Sequence, residues 1–139
     1  MAIASLILWI LTAGGGAFML AKWVSGGGHR GSTTSQLPPP VVFGHFVLAA
    51  VGLVLWIVYV VTDNHPVGWI GLALLVPVAI LGFIMLARWL AGRRERTGTT
   101  PRSEAAPPEH SFPVPVVVAH GVLAVATIVA ALLALAEVG

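Results

Sequence analysis

Four nearly unbroken apolar runs, residues 2–24, 41–62, 67–91 and 114–138, take up most of this 139-residue chain. Each holds the roughly 20 residues that a helix rising about 1.5 Å per residue needs to cross a hydrocarbon core about 30 Å thick. Hydrophobic residues make up 58% of the chain, charged residues 9%, and the mean hydropathy is +0.96, all outside the range of ordinary soluble domains. The expectation is an all-α membrane protein, a single four-span domain over residues 1–139, packed as a four-helix transmembrane bundle. Residues 92–112 read as a long, charged, mobile loop. The first run lacks a basic leader segment and carries its positive charge at the far end, so it reads as a retained span.

The runs repeat in pairs. Residues 40–49 (PVVFGHFVLA) align with 115–124 (PVVVAHGVLA), which superimposes His45 on His120 at an offset of 75. Upstream, 16–26 (GAFMLAKWVSG) align with 82–92 (GFIMLARWLAG), pairing Met19, Lys22 and Trp23 with Met85, Arg88 and Trp89 at an offset of 66. The repeating unit is a helical hairpin. Two spans per unit predict copies inserted in the same orientation, related by a pseudo-twofold axis along the membrane normal. The second and fourth helices then run parallel, with His45 and His120 at one depth. Pro40 and Pro115 suit a first helical turn. The histidines follow about 7–8 Å further in.

Charge sets the expected topology. All seven basic residues flank the first connection (Lys22, Arg30) or the third (Arg88, Arg93, Arg94, Arg96, Arg102). The positive-inside rule makes those loops cytoplasmic and puts both termini outside, in a cell or inner membrane. The pI near 10 therefore reflects topology, and the partner it implies is the lipid bilayer, not nucleic acid. Trp23, Trp69 and Trp89 read as interfacial anchors, and Pro77 as a kink in the third span. The Gly26–Gly28 run reads as loop flexibility, and His29, His65 and His110 as water-exposed loop residues.

An ionisable side chain at membrane depth is costly and marks a functional site. Two equivalent ones predict a shared site, with metal ligands His45 and His120 on opposite faces of one b-type haem. Lys22 and Arg88 would hold the propionates, Met19 and Met85 would touch the ring edge, and Gly44 and Gly121, beside the histidines, would let the ring approach.

Gly44-His45 and Ala119-His120, on the second and fourth spans, are the positions at which the chain resembles the transmembrane b-type cytochromes. In that family, helical bundles hold haem between histidines of the second and fourth core helices. The resemblance implies electron transfer, with quinone or a larger respiratory-type membrane complex as exchange partner. Such cytochromes commonly carry a second histidine pair nearer the opposite face. Spans two and four here hold no further histidine, so the resemblance implies one intramembrane haem. The chain is also similar to small four-span proteins of high-GC bacteria, a likeness that implies no function.

Two other readings stay open. One is a structural or assembly subunit of a larger complex, with the histidines merely hydrogen-bonded to backbone and no cofactor. The other is a copper-binding or small-solute transport protein: Met19, Met85, His45 and His120 form a soft donor set suited to Cu(I), and a homo-oligomer would supply a pathway. The chain reads as an electron carrier or subunit more than a stand-alone enzyme. The absence of cysteine removes thiolate metal sites and cysteine nucleophiles. No acidic residue lies within a span except Glu137 at its end, which disfavours an acidic proton relay or a sodium-coupled carrier. There is no Ser-His-Asp arrangement, phosphate loop or HExxH motif.

Overall fold

The computed structural model describes residues 1–30, 35–97 and 106–137. Four helices dominate it: α1 (Ala2–Ser25), α2 (Pro39–Thr62), α3 (His65–Thr97) and α4 (Val114–Ala136). Each is long and apolar enough to cross a membrane. In a medium without water only such internally hydrogen-bonded segments satisfy their own backbone. Proline opens both α2 and α4, where its missing N–H has no intrahelical partner to lose. Asp63, in the left-handed region (φ 54°), ends α2 and turns the chain directly into α3.

The helices associate as two antiparallel pairs. α2 packs closely on α3, and α1 on α4, while the contacts between the pairs are sparser. Two apolar clusters then join the bundle. At the end that carries the termini, Trp9, Trp56, Tyr59, Leu75, Val78, Ala131, Ala134 and Leu135 form the larger core. Here the repeat is complementary in volume: Trp9, Trp56 and Tyr59 occupy positions equivalent to Leu75, Ala131 and Ala134. Gly52 admits the Trp9 indole, since a Cβ on Gly52 would stand only 3.0 Å from it. At the opposite, basic end, Trp23, Leu37 and Val42 pack with Leu20, Met85 and Phe112.

Several expectations change at the basic end. α3 does not stop at residue 91 but continues to Thr97, so the expected 92–112 loop is helical at its start, and residues 98–105 lie outside the described residues. A run rich in Arg and Glu continues a helix once it leaves the apolar zone, because those residues are good helix formers. The loop also folds back into a 3₁₀ turn, Pro108–Ser111, in which Glu109 is 1% exposed. Its carboxylate accepts from Ser35 Oγ (2.8 Å) and the Gln36 N–H (2.6 Å), and its backbone carbonyl accepts from the Trp89 indole (3.0 Å). The Trp23 indole donates to Ser35 Oγ (3.0 Å). Trp23 and Trp89 are therefore buried members of a cap, not interfacial anchors, while Trp69 is exposed as expected. Gly28 is buried beneath the Trp23 ring, where any side chain would collide with the indole, so it serves close packing and not flexibility. α3 runs through Pro77 without a break.

Gly52 and Gly14 give a matched test. Gly52→Val should cost about 1–3 kcal/mol by overpacking Trp9. Gly14→Ala, whose new methyl meets nothing within 4 Å, should stabilise by up to about 1 kcal/mol through helix propensity. Thermal unfolding in detergent, followed by tryptophan fluorescence, reads both.

Candidate histidine centre

His45 and His120 lie at equivalent positions six residues into α2 and α4, between the two apolar clusters. Their rings face one another with centroids 6.2 Å apart and planes inclined by 58°. Each is tied to the partner helix of its own pair. His45 Nδ1 lies 2.9 Å from the Val78 carbonyl oxygen on α3, and His120 Nδ1 lies 2.9 Å from the Thr12 carbonyl oxygen on α1. Thr12 and Val78 are themselves equivalent in the repeat, at the 66-residue offset. A carbonyl oxygen can only accept, so both Nδ1 atoms carry the proton and both Nε2 atoms keep a free lone pair.

Local helix geometry explains the residues beneath the rings. The carbonyl of residue i in a helix already accepts from the N–H of residue i+4. An imidazole that reaches the same oxygen must lie over residue i+4. Those residues are Gly16, four after Thr12, and Gly82, four after Val78. A Cβ on Gly16 would stand 3.0 Å from His120 Cε1, and one on Gly82 would stand 3.3 Å from His45 Cε1. Glycine at these two places lets the ring reach the backbone. A Cβ on Gly15 would make only ordinary contact with His120, 3.7 Å from its Nδ1.

Thr12 and buried Thr127 bring their hydroxyl oxygens to 3.3 Å, and each also donates to the carbonyl four residues earlier on its own helix. The aligned equivalents of Thr12 and Thr127 are Val78 and Gly52, so the hydroxyl pair has no counterpart on α2 and α3.

The remaining expected site residues fall elsewhere. Gly44 faces Leu81, and Gly121 is exposed with nothing within 4 Å of an added Cβ. Met85 packs in the Trp23 cluster, and Met19 is half-buried on α1. Lys22 Nζ lies 5.4 Å from the Phe18 ring, and Arg88 donates to the Gln36 carbonyl (3.2 Å). Thr12 and Val78, whose carbonyls bind the rings, are what sequence reasoning missed, while Gly16 and Gly82, legible only as small residues suited to close packing, prove to lie against the rings. The signal available was that both glycines open the aligned upstream segments. Of the other histidines, His29 is exposed as expected. His65 opens α3, half-buried against the Tyr59 ring and 3.7 Å from Asp63 Oδ1, and His110 is half-buried in the 3₁₀ turn, so neither is a freely exposed loop residue.

Among the described residues, no three His, Cys, Asp or Glu side chains gather as a metal-binding group. No protein-family model, curated protein or solved structure matches the chain.

Nitrogen-15 NMR of histidine-labelled protein should show both buried rings, when neutral, as the Nδ1–H tautomer. Gly16→Ala should shift the His120 resonances alone, and Gly82→Ala those of His45 alone. Protonated Nε2 atoms would contradict the assigned geometry.

Proposed function

We propose that this protein is a membrane-embedded b-type haem protein in which His45 and His120 are the axial ligands of one haem. The observation that carries the proposal is the pairing of the two imidazoles with their Nε2 lone pairs uncommitted and their centroids 6.2 Å apart. Two imidazoles held in line on opposite sides of one metal ion, each nitrogen about 2.0–2.1 Å from it, place their centroids roughly 6 Å apart. Metal-ligating histidines also characteristically donate their other ring N–H to a backbone carbonyl, carboxylate or water, which fixes ring orientation and raises ligand basicity.

The surroundings suit a flat, mostly apolar group. Each helix pair clamps one imidazole, so the ring would lie between the pairs, where contacts are sparser and Gly16 and Gly82 contribute no side-chain bulk. Bound there, haem supplies one-electron redox chemistry. Ligation on both faces leaves no open position for a substrate, which favours electron transfer. The protein's part is to hold two neutral nitrogens in line and exclude water with the apolar clusters above and below. Lys22 and Arg88 stand at the basic rim, beside Phe18 and Gln36, and not against the imidazoles, so propionate anchoring by them is left out of the proposal.

The finer architecture belongs to the same reading. Two hairpin repeats in parallel orientation account for the matched offsets of His45/His120, Gly16/Gly82 and Thr12/Val78, and for α1–α4 contacts mirroring those of α3–α2. The basic end is cytoplasmic and the termini lie outside, by the positive-inside rule. The haem then lies in the cytoplasmic half of a cell membrane, exchanging electrons with quinone or a larger respiratory-type complex. The likeness to transmembrane b-type cytochromes agrees with this.

An absorption spectrum tests the proposal. Purified protein should hold about one haem per chain and give sharp α and β bands on reduction. His45→Ala and His120→Ala should each abolish the bis-histidine spectrum, and Gly16→Leu should lower haem retention at least about tenfold by displacing the ligand. Colourless protein that retains copper would replace haem with a metal-ion site. Colourless, metal-free protein that co-purifies with other subunits would leave a structural role.

A further inference from the structure

The cations at the basic end are arranged to meet anions at the depth of lipid headgroups. Arg30, Arg88 and Arg93 are exposed there and Lys22 is half-buried. Two described carboxylates share this end: Glu109, buried inside the cap, and Glu95, exposed and accepting from Gln36 Nε2 (3.4 Å). The opposite end carries Asp63 and Glu137, both exposed, and no Lys or Arg.

Two of the guanidinium groups are held in place by the protein. One Arg88 nitrogen donates to the Gln36 carbonyl, leaving the rest of its fork outward. Arg93 lies over the Trp89 ring, 5.0 Å from its centroid, and that ring is fixed by its own bond to Glu109. A guanidinium already positioned loses less rotamer freedom when it binds a phosphate. The cations are also interleaved with exposed apolar side chains. Lys22 stands over the exposed Phe18, while Leu86 and Leu90 are exposed beside Arg88 and Arg93 on α3. A lysine with its stem along a lipid-facing ring delivers its ammonium to the interface.

We propose that Lys22, Arg88 and Arg93 form a binding rim for anionic phospholipid headgroups of the leaflet that meets the basic end. A soluble acidic protein would approach from water and leave Lys22, on the apolar flank, unused. Lipid phosphates are the anions that occur at that depth, and basic residues just outside a span attract them. Because Arg88 also holds Gln36, whose N–H binds Glu109, a headgroup on Arg88 braces the cap. The rim does not depend on a cofactor.

The test uses full-length protein in nanodiscs of phosphatidylcholine alone or with about one quarter phosphatidylglycerol, melted by tryptophan fluorescence. Phosphatidylglycerol should raise the melting temperature by about 5 °C, and high salt should erase the rise. The Lys22→Gln, Arg88→Gln, Arg93→Gln triple variant should show no rise. Equal melting in both lipids, or a rise that survives in the triple variant, would overturn the proposal. A rise of the same size from soluble polyglutamate in phosphatidylcholine discs would overturn it in favour of an acidic protein partner. Should the triple variant fail to fold, native mass spectrometry of wild-type protein from mixed lipid decides. Enrichment of phosphatidylglycerol at least about threefold over phosphatidylcholine supports the rim, and equal retention sinks it.

Discussion

Each half-buried imidazole of the centre is tolerated because a helix carbonyl accepts its Nδ1–H. In an apolar interior a polar ring without a partner costs several kcal/mol, and the only acceptors at that depth are other side chains or backbone oxygens already used by the helix. A carbonyl has two lone pairs, so Thr12 and Val78 can accept from an imidazole as well as from the N–H four residues on. That choice shapes the remainder of the centre. It favours glycine at 16 and 82, where a Cβ would crowd the rings, it ties α4 to α1 and α2 to α3, and it leaves the Nε2 lone pair of each ring uncommitted.

The two halves of the chain match around the histidines and diverge away from them. Near the termini, Trp9, Trp56 and Tyr59 from the first hairpin fill volume that Leu75, Ala131 and Ala134 of the second leave open. Close packing suits the division, since large rings at all of these aligned positions would overfill the core and small residues at all of them would leave a void. The hairpins are therefore not interchangeable, and a dimer of either one alone would be badly packed. At the histidine level the halves match instead, each imidazole bonded to a carbonyl of the neighbouring helix and lying over a glycine.

The cap at the basic end shows a buried carboxylate used for structure. Glu109 gathers donors from the segment before α2, while its own turn receives the Trp89 indole from α3. Ser35 passes the Trp23 indole into the same network. Four parts of the chain are thereby held over the basic end of the bundle by hydrogen bonds that stay strong where water is scarce.

Helix number and the apolar spans were legible in the sequence, because crossing hydrocarbon demands about 20 apolar residues and nothing else in the chain competes with that signal. The equivalence of His45 and His120 was legible too, as a repeat. What the sequence left open was rotation about each helix axis, and with it which residues meet. Lys22, Arg88, Met19, Met85, Gly44 and Gly121 share the histidines' neighbourhood in sequence, yet the described contacts place Gly16, Gly82, Thr12 and Val78 against the rings. Burial of Trp23, Trp89 and Glu109 was equally hidden, since hydropathy cannot tell a tryptophan at a headgroup from one under a folded loop. Hydrocarbon selects helices through composition alone. Which faces meet is decided by the packing and hydrogen bonding of residues far apart in the chain, and that belongs to the tertiary structure.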